Sequence, residues 1–320
     1  MKLQTIVPLR SSKERIDHHS TLFLVGSCFV ENIGRKFNYY QFQTLQNPLG
    51  ILFQPEAIEN FIARSVEERM YETADVFNFN ERWHCFDAHS DLSDPSKEQL
   101  LTNLNSALHD TRNQLENATH VIITLGTAWV YRNIETQKRV ANCHKVPQKN
   151  FTKELLSKEE IEESLKQIIA NIRKVNENAS VIFTISPVRH LKDGFVENQR
   201  SKANLISAVG KIMEATSTNK NLHYFPAFEI MLDELRDYRF YAEDMVHPNN
   251  LAIDYIWEKF KNVWVSEKAE SVMKAVEEIQ RGLSHRPFNE ESEQHQLFLK
   301  SLNDKISVLN KEFPFMKFKP

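Results

Sequence analysis

TLFLVGSCFVENIG, residues 21–34, contains the turn on which the reading of the fold rests. An uninterrupted apolar run breaks at Gly26-Ser27 and gives way to the helical spacing of Val30, Ile33 and Phe37. A continuous apolar run of this length suits a strand buried on both faces, as in a parallel sheet covered by helices. HVIITLG (120–126) and SVIFTIS (180–186) repeat the pattern. LHYFPAF (222–228) is a weaker copy stopped by Pro226, and QFQTLQNPLG (41–50) holds another strand that ends before Pro48. Between these runs lie helices. Pro55 opens one over 56–69, and residues 96–117 place Leu100, Leu101, Leu104, Leu108 and Leu115 roughly on one face. Ser157 and Glu160 form a capping-box pattern for a helix running to Val175, and 198–215 and 250–263 complete the set. The alternation predicts an α/β fold, a three-layer α/β/α sandwich with a parallel, flavodoxin-like sheet of about five strands.

Residues 1–265 are read as this catalytic-type domain and residues 266–320 as a C-terminal helical extension packed on it. From Ser266 onward no strand is read, and Leu299, Leu302, Ile306, Leu309 and Phe313 mark one stripe of a helix. The expectation is a helix folded back on its own domain in a monomer; a homodimer built on the stripe is the alternative.

Composition narrows the function. Of 320 residues, 41% are hydrophobic and 26% charged, which supports a substantial core. A net charge of -3 gives no global attraction to nucleic acid. No run approaches the length needed to span a bilayer, and the polar N-terminus lacks a signal-type apolar run, so neither nucleic-acid nor membrane partners are expected. Cys28, Cys85 and Cys143 form an odd, scattered set that reads as free thiols in a reducing compartment, hence a cytoplasmic protein. With 7 glycines there is little material for a phosphate loop. His84, Cys85, His89, Cys143 and His144 lack a recognised zinc spacing, so no metal and no cofactor is expected.

Ser27 falls at the carboxyl edge of the sheet, where open α/β folds bind ligands, and at a helix N-terminus that favours an anion. The plain alternative is an N-cap serine. Asp244 and His247 supply a carboxylate three residues before a histidine, which would set the imidazole tautomer and stabilise the imidazolium. Together they point to Ser27 as nucleophile, His247 as base and Asp244 as its orienting acid. Cys28 as nucleophile is the lesser option, because one step along a helix turns a side chain about a hundred degrees away. His190 follows a strand end and contacts either substrate or its own neighbours. Lys192, Arg200 and Lys202 read as solvated, with one of them open to a substrate carboxylate or phosphate.

These strings also carry a resemblance. FLVGSCFVENIG (23–34) followed by QNPLGILFQP (46–55) resembles the GSCFA family, a branch of the SGNH (GDSL-type) hydrolase superfamily, with Val30 where the name-giving motif has alanine. GTAWVY (126–131), ANCHKVP (141–147), SPVRHLKDGFVENQRSKANL (186–205) and RFYAEDMVHPN (239–249) look like family segments too. The resemblance implies an SGNH-hydrolase-like fold, with Ser27, Asp244 and His247 catalytic and the N–H groups of Ser27 and Gly50 as oxyanion donors. One departure stands out. Where the superfamily expects Gly-x-Asn-Asp this chain reads Gly126-Thr127-Ala128-Trp129, so the side-chain oxyanion donor is missing. Asn47, Thr127, Asn142 and His144 are candidates to replace it, with Trp129 as a wall of the acyl pocket; Asn47 as a turn-former and Trp129 as core are the plain alternatives.

The expected function is a serine-dependent ester hydrolase acting on a small-molecule or carbohydrate-linked acyl ester. The alternatives are an acyltransferase with the same triad, or a non-catalytic scaffold that retains the fold.

Overall fold

The computed structural model describes residues 4–215, 221–289 and 291–318. Residues 1–3 and 319–320, the outer ends of the two divisions expected from the sequence, lie outside the described residues. Five strands form the central sheet: β1 (Thr21–Gly26), β2 (Gln43–Gln46), β5 (His120–Leu125), β9 (Ser180–Ile185) and β10 (Leu222–Phe225). Their order is β10-β9-β5-β1-β2 and every pairing is parallel. Counted along the chain, this is the flavodoxin-like order, with its reversal between β1 and β5. Ligand crevices in such sheets open at that point. The expected fold class is the observed one.

Alternation within each strand divides the core. Phe23, Val25, Ile123, Phe183 and Ile185 face one layer, built by α2 (Pro55–Val66), α3 (Lys97–Asn117), α4 (Lys158–Val175) and α5 (Phe195–Ala215). Leu22, Leu24, Ile122 and Ile182 face the other, with α1 (Cys28–Tyr39), the short helix α6 (Ala227–Glu229) and α7 (Asn250–Trp264). Ser27 caps α1 and a complete Ser157/Glu160 box opens α4, where the sequence puts them, and Ser96 caps α3.

Two small sheets add to what the apolar runs predict. β3 (Val76–Phe79) and β4 (Arg82–Cys85) form a hairpin, closed by Asn80 and Glu81 at φ 48° and 62°. β6 (Trp129–Asn133) pairs antiparallel with β7 (Arg139–Val140) and β8 (Phe151–Leu155). At the C-terminus, α8 (Glu267–Leu283) and α9 (Glu293–Glu312) make the helical extension. Leu302 packs on Gly282, and Phe313 is buried beside His18 and His19. Among the described residues no helix is long and apolar enough to cross a membrane.

Candidate active site

Ser27 sits at the reversal point of the sheet because Gly26 permits it. Gly26 has φ +141°, and a Cβ there would lie 2.2 Å from the Thr124 carbonyl oxygen. Only glycine lets β1 end this close to β5 and turn straight into α1. Asn47, itself at φ 42°, completes the turn: its Oδ1 accepts the Gly26 N–H at 2.9 Å. Its Nδ2 is buried with no partner among the described residues.

Ser27 is 1% exposed and acts as the N-cap of α1, its Oγ accepting the Phe29 N–H at 3.3 Å. Its own N–H donates to the Thr124 carbonyl at 3.0 Å, and the Gly50 N–H donates to the Asn47 carbonyl at 2.7 Å. Both backbone groups expected to hold an oxyanion are thus engaged within the fold. That corrects their assignment as free donors, because strand β5 and the 47–50 turn claim them first.

The loop before α7 builds an Asp–His pair from a single turn. One carboxylate oxygen of Asp244 accepts the N–H groups of Val246 and His247, at 2.9 and 3.0 Å. The other meets His247 Nδ1 at 2.6 Å. Met245, at φ 55°, is the pivot that folds the turn back. These bonds, the backbone one to His247 foremost, hold the Asp244 carboxyl down to about 2. An ionised carboxylate on Nδ1 fixes the tautomer with Nδ1–H and leaves Nε2 as the acceptor, which is what a base requires. Both side chains are about half exposed. Among the described residues no hydrogen bond joins Ser27 and His247. The loop is tied to the segment after β9, since the Arg189 N–H donates to the Val246 carbonyl at 3.1 Å and its guanidinium to the Met245 carbonyl at 3.0 Å.

His190 belongs to this edge. Its backbone N–H donates to Asn198 Oδ1 at 2.8 Å, its Nε2 is buried without a partner among the described residues, and its ring lies 6.1 Å from Phe53. Burial, then the positive charges of Lys202 and His247, push it down to about 3. Burial likewise raises the Cys28 thiol, the opposite of an activated thiolate.

Other candidates serve the scaffold. Thr127 is buried, pairs with Ser201 Oγ at 2.9 Å and accepts the Trp129 N–H at 3.1 Å. Asn142 caps its own turn by accepting the His144 N–H at 2.8 Å. His144 is buried against His84 and bonds the Cys85 carbonyl at 2.7 Å, tying the 141–147 loop to β4. His84 is spent on Ser93 and the Phe79 carbonyl. Among the described residues no three His, Cys, Asp or Glu side chains converge as a metal site would. Trp129 and Asn142 do line a cleft of about 340 Å³ with Phe53, Tyr131, Phe151 and Lys192. Phe53 also packs against Gly126 beside Ser27.

Lys202 is the residue that sequence reasoning places wrongly. It is not solvated but 1% exposed, and its Nζ donates to the carbonyls of Gly126 and Ser186, each at 2.7 Å. Its helical register holds the signal: Asn198, Ser201, Lys202, Leu205, Ala208, Val209 and Ile212 are the buried face of α5.

The fold and this edge define an α/β protein with a strand-end serine at the sheet's reversal point and an Asp–His pair on a loop at the same edge. The chain belongs to the GSCFA family, whose model matches residues 21–260; a second model, the GSCFA domain protein C-terminal domain, matches residues 276–320. No curated protein matches in sequence. Among solved structures the chain is similar to an acetyl xylan esterase (Est2A) from the rumen bacterium Butyrivibrio proteoclasticus, at 11% identity and a TM-score of 0.38. The match covers 76% of this chain and 63% of that one. A likeness this distant carries no argument about activity.

Proposed function

We propose that this protein is a serine-dependent esterase of SGNH type, acting on a small-molecule or carbohydrate-linked acyl ester. The observation that carries the reading is the 2.6 Å Asp244–His247 pair, with its carboxylate locked by two further N–H groups, on a loop tied to the edge where Ser27 ends β1. In this reading His247 Nε2 takes the Ser27 proton as Oγ bonds to the ester carbonyl carbon. The tetrahedral intermediate collapses, the alkoxide leaves with the proton from His247, and water repeats the sequence to release the acid. A sugar hydroxyl in place of that water gives acyl transfer. Asn47 Nδ2, unpartnered and next to the Gly26–Ser27 turn, is the best-supported oxyanion donor. The engaged N–H groups of Ser27 and Gly50 support the role less. Because Ser27 is capping α1 and covered, attack requires its hydroxyl to leave the cap and the edge to open.

The test is hydrolysis of 4-nitrophenyl acetate. Ser27→Ala and His247→Ala should each lower kcat by at least about a thousandfold, and the double variant should be no worse than either, because the two act as a unit. Full activity in Ser27→Ala rejects the serine mechanism. A folded wild type with no activity on any ester favours the scaffold reading.

A further inference from the structure

Lys202 is a buried ammonium. Among the described residues no carboxylate pairs with it, and its two partners are the neutral carbonyls of Gly126 and Ser186, at the ends of β5 and β9. The ring of Phe228 lies 5.4 Å from Nζ. Methionine would fill this space without the desolvation cost that a buried charge carries. The fold bears that cost next to the nucleophile. A Cβ on Gly126 would sit 3.3 Å from Ser27 Cβ, so the residue whose carbonyl Lys202 holds is packed directly on the serine. The preceding residue of α5 acts on the same turn: Ser201 Oγ accepts the Ala128 N–H at 2.7 Å and pairs with Thr127 Oγ1. Two consecutive residues of one helix therefore clamp the 126–128 turn, which has no amide side chain of its own.

We propose that Lys202 is a positioning residue for the chemistry at Ser27: its ammonium holds the Gly126 turn against the serine and supplies the local positive field in which the ester oxygen gains charge. The proposal rests on the esterase reading. Desolvation pushes the Lys202 ammonium down to about 7, opposed by the nearby Cys28 and Glu229. The titratable groups around it are Cys28 on α1, His190 after β9 and Glu229 on α6. Activity should thus fall on the alkaline side as Lys202 loses its proton.

The experiment measures kcat and KM for 4-nitrophenyl acetate from about pH 5 to about pH 9, with melting temperatures, for wild type, Lys202→Met, Lys202→Gln and Lys202→Arg. Lys202→Met is expected to melt no lower than wild type, to lose at least about tenfold in kcat with KM within about twofold, and to lose the alkaline limb. Lys202→Arg should recover part of kcat and push the limb to higher pH. Wild-type kcat and pH profile in Lys202→Met or Lys202→Gln overturns the proposal, as does a loss that only tracks the unfolded fraction. Should neither variant fold, a wild-type profile without an alkaline limb overturns it. The two failures look different. A folded wild type that hydrolyses no ester removes the esterase reading and this proposal with it, whereas equal kcat in wild type and Lys202→Met removes the proposal alone.

Discussion

The Ser27 turn and the Asp244–His247 contact illustrate which local geometry a sequence can reveal. Asp-x-x-His closes within one turn, so its 2.6 Å bond follows from local geometry and is legible before any fold is known. Ser27 is legible because a strand ending in Gly-Ser has one place to go in a parallel sheet. What fails are assignments that depend on distant partners. The Ser27 N–H is claimed by Thr124, far along the chain on β5, and nothing in GSC announces it. Thr127 and His144 suggest themselves by their chemistry but are held by Ser201 and Cys85. Lys202 reads as solvated because QRSKAN (199–204) is polar apart from Ala203. The apolar register of Leu205, Val209 and Ile212, extended back by one and two turns, is the stronger signal. Asn47 combines both roles: it is the turn-former its Pro48 neighbour suggests, and it keeps a free amide donor beside Gly26.

Among elements, β1, β5, β9 and β10 are legible as largely apolar runs and β2 (QTLQ) by its place before the Pro48 turn, whereas the small sheets are not legible because β3, β4, β6 and β8 mix polar and apolar residues at partly exposed positions. The Asn80-Glu81 turn is a usable hairpin signal only in its asparagine. The C-terminal stripe also shows its correct face: Leu302 and Phe313 are buried, and Leu299, Ile306 and Leu309 partly so. It folds back through close contact, since a Cβ on Gly282 would lie 2.7 Å from Leu302 Cδ1. Lys305 pairs with Glu278, and Gln41 Oε1 accepts the Lys317 N–H at 2.9 Å. Leu302→Asp should therefore destabilise by about 2–4 kcal/mol, a buried charge without a partner, and lower the melting temperature of a protein that stays monomeric. Light scattering checks the second half; a wild-type dimer that the substitution splits would assign the stripe to an interface.

Across the whole molecule the sheet order gathers chemistry at one edge, and burial sets the charge state of what gathers there and elsewhere in the core. His120 is held by the Glu14 carbonyl and Thr119, and desolvation pushes it down to about 4. Between that value and its unfolded value of 6.5 the unfolded chain binds more protons, so this histidine's contribution is full above pH 6.5 and is lost as pH falls toward about 4. Raised carboxyls such as Glu56 and Glu229 act in the opposite sense, so the contribution is best isolated by difference. The stability advantage of wild type over His120→Gln, from urea unfolding, should shrink by up to about 3 kcal/mol across that window. An advantage independent of pH would show that His120 is not held neutral. The central claim, that the edge formed by β1 and the 240–249 loop is a working serine–histidine site, is tested most directly by a fluorophosphonate. Ser27 Oγ displaces fluoride from phosphorus and its proton passes to His247, so peptide mass spectrometry should find one adduct, on Ser27, and none in His247→Ala. Labelling absent from folded wild type, or unchanged in His247→Ala, would contradict the account.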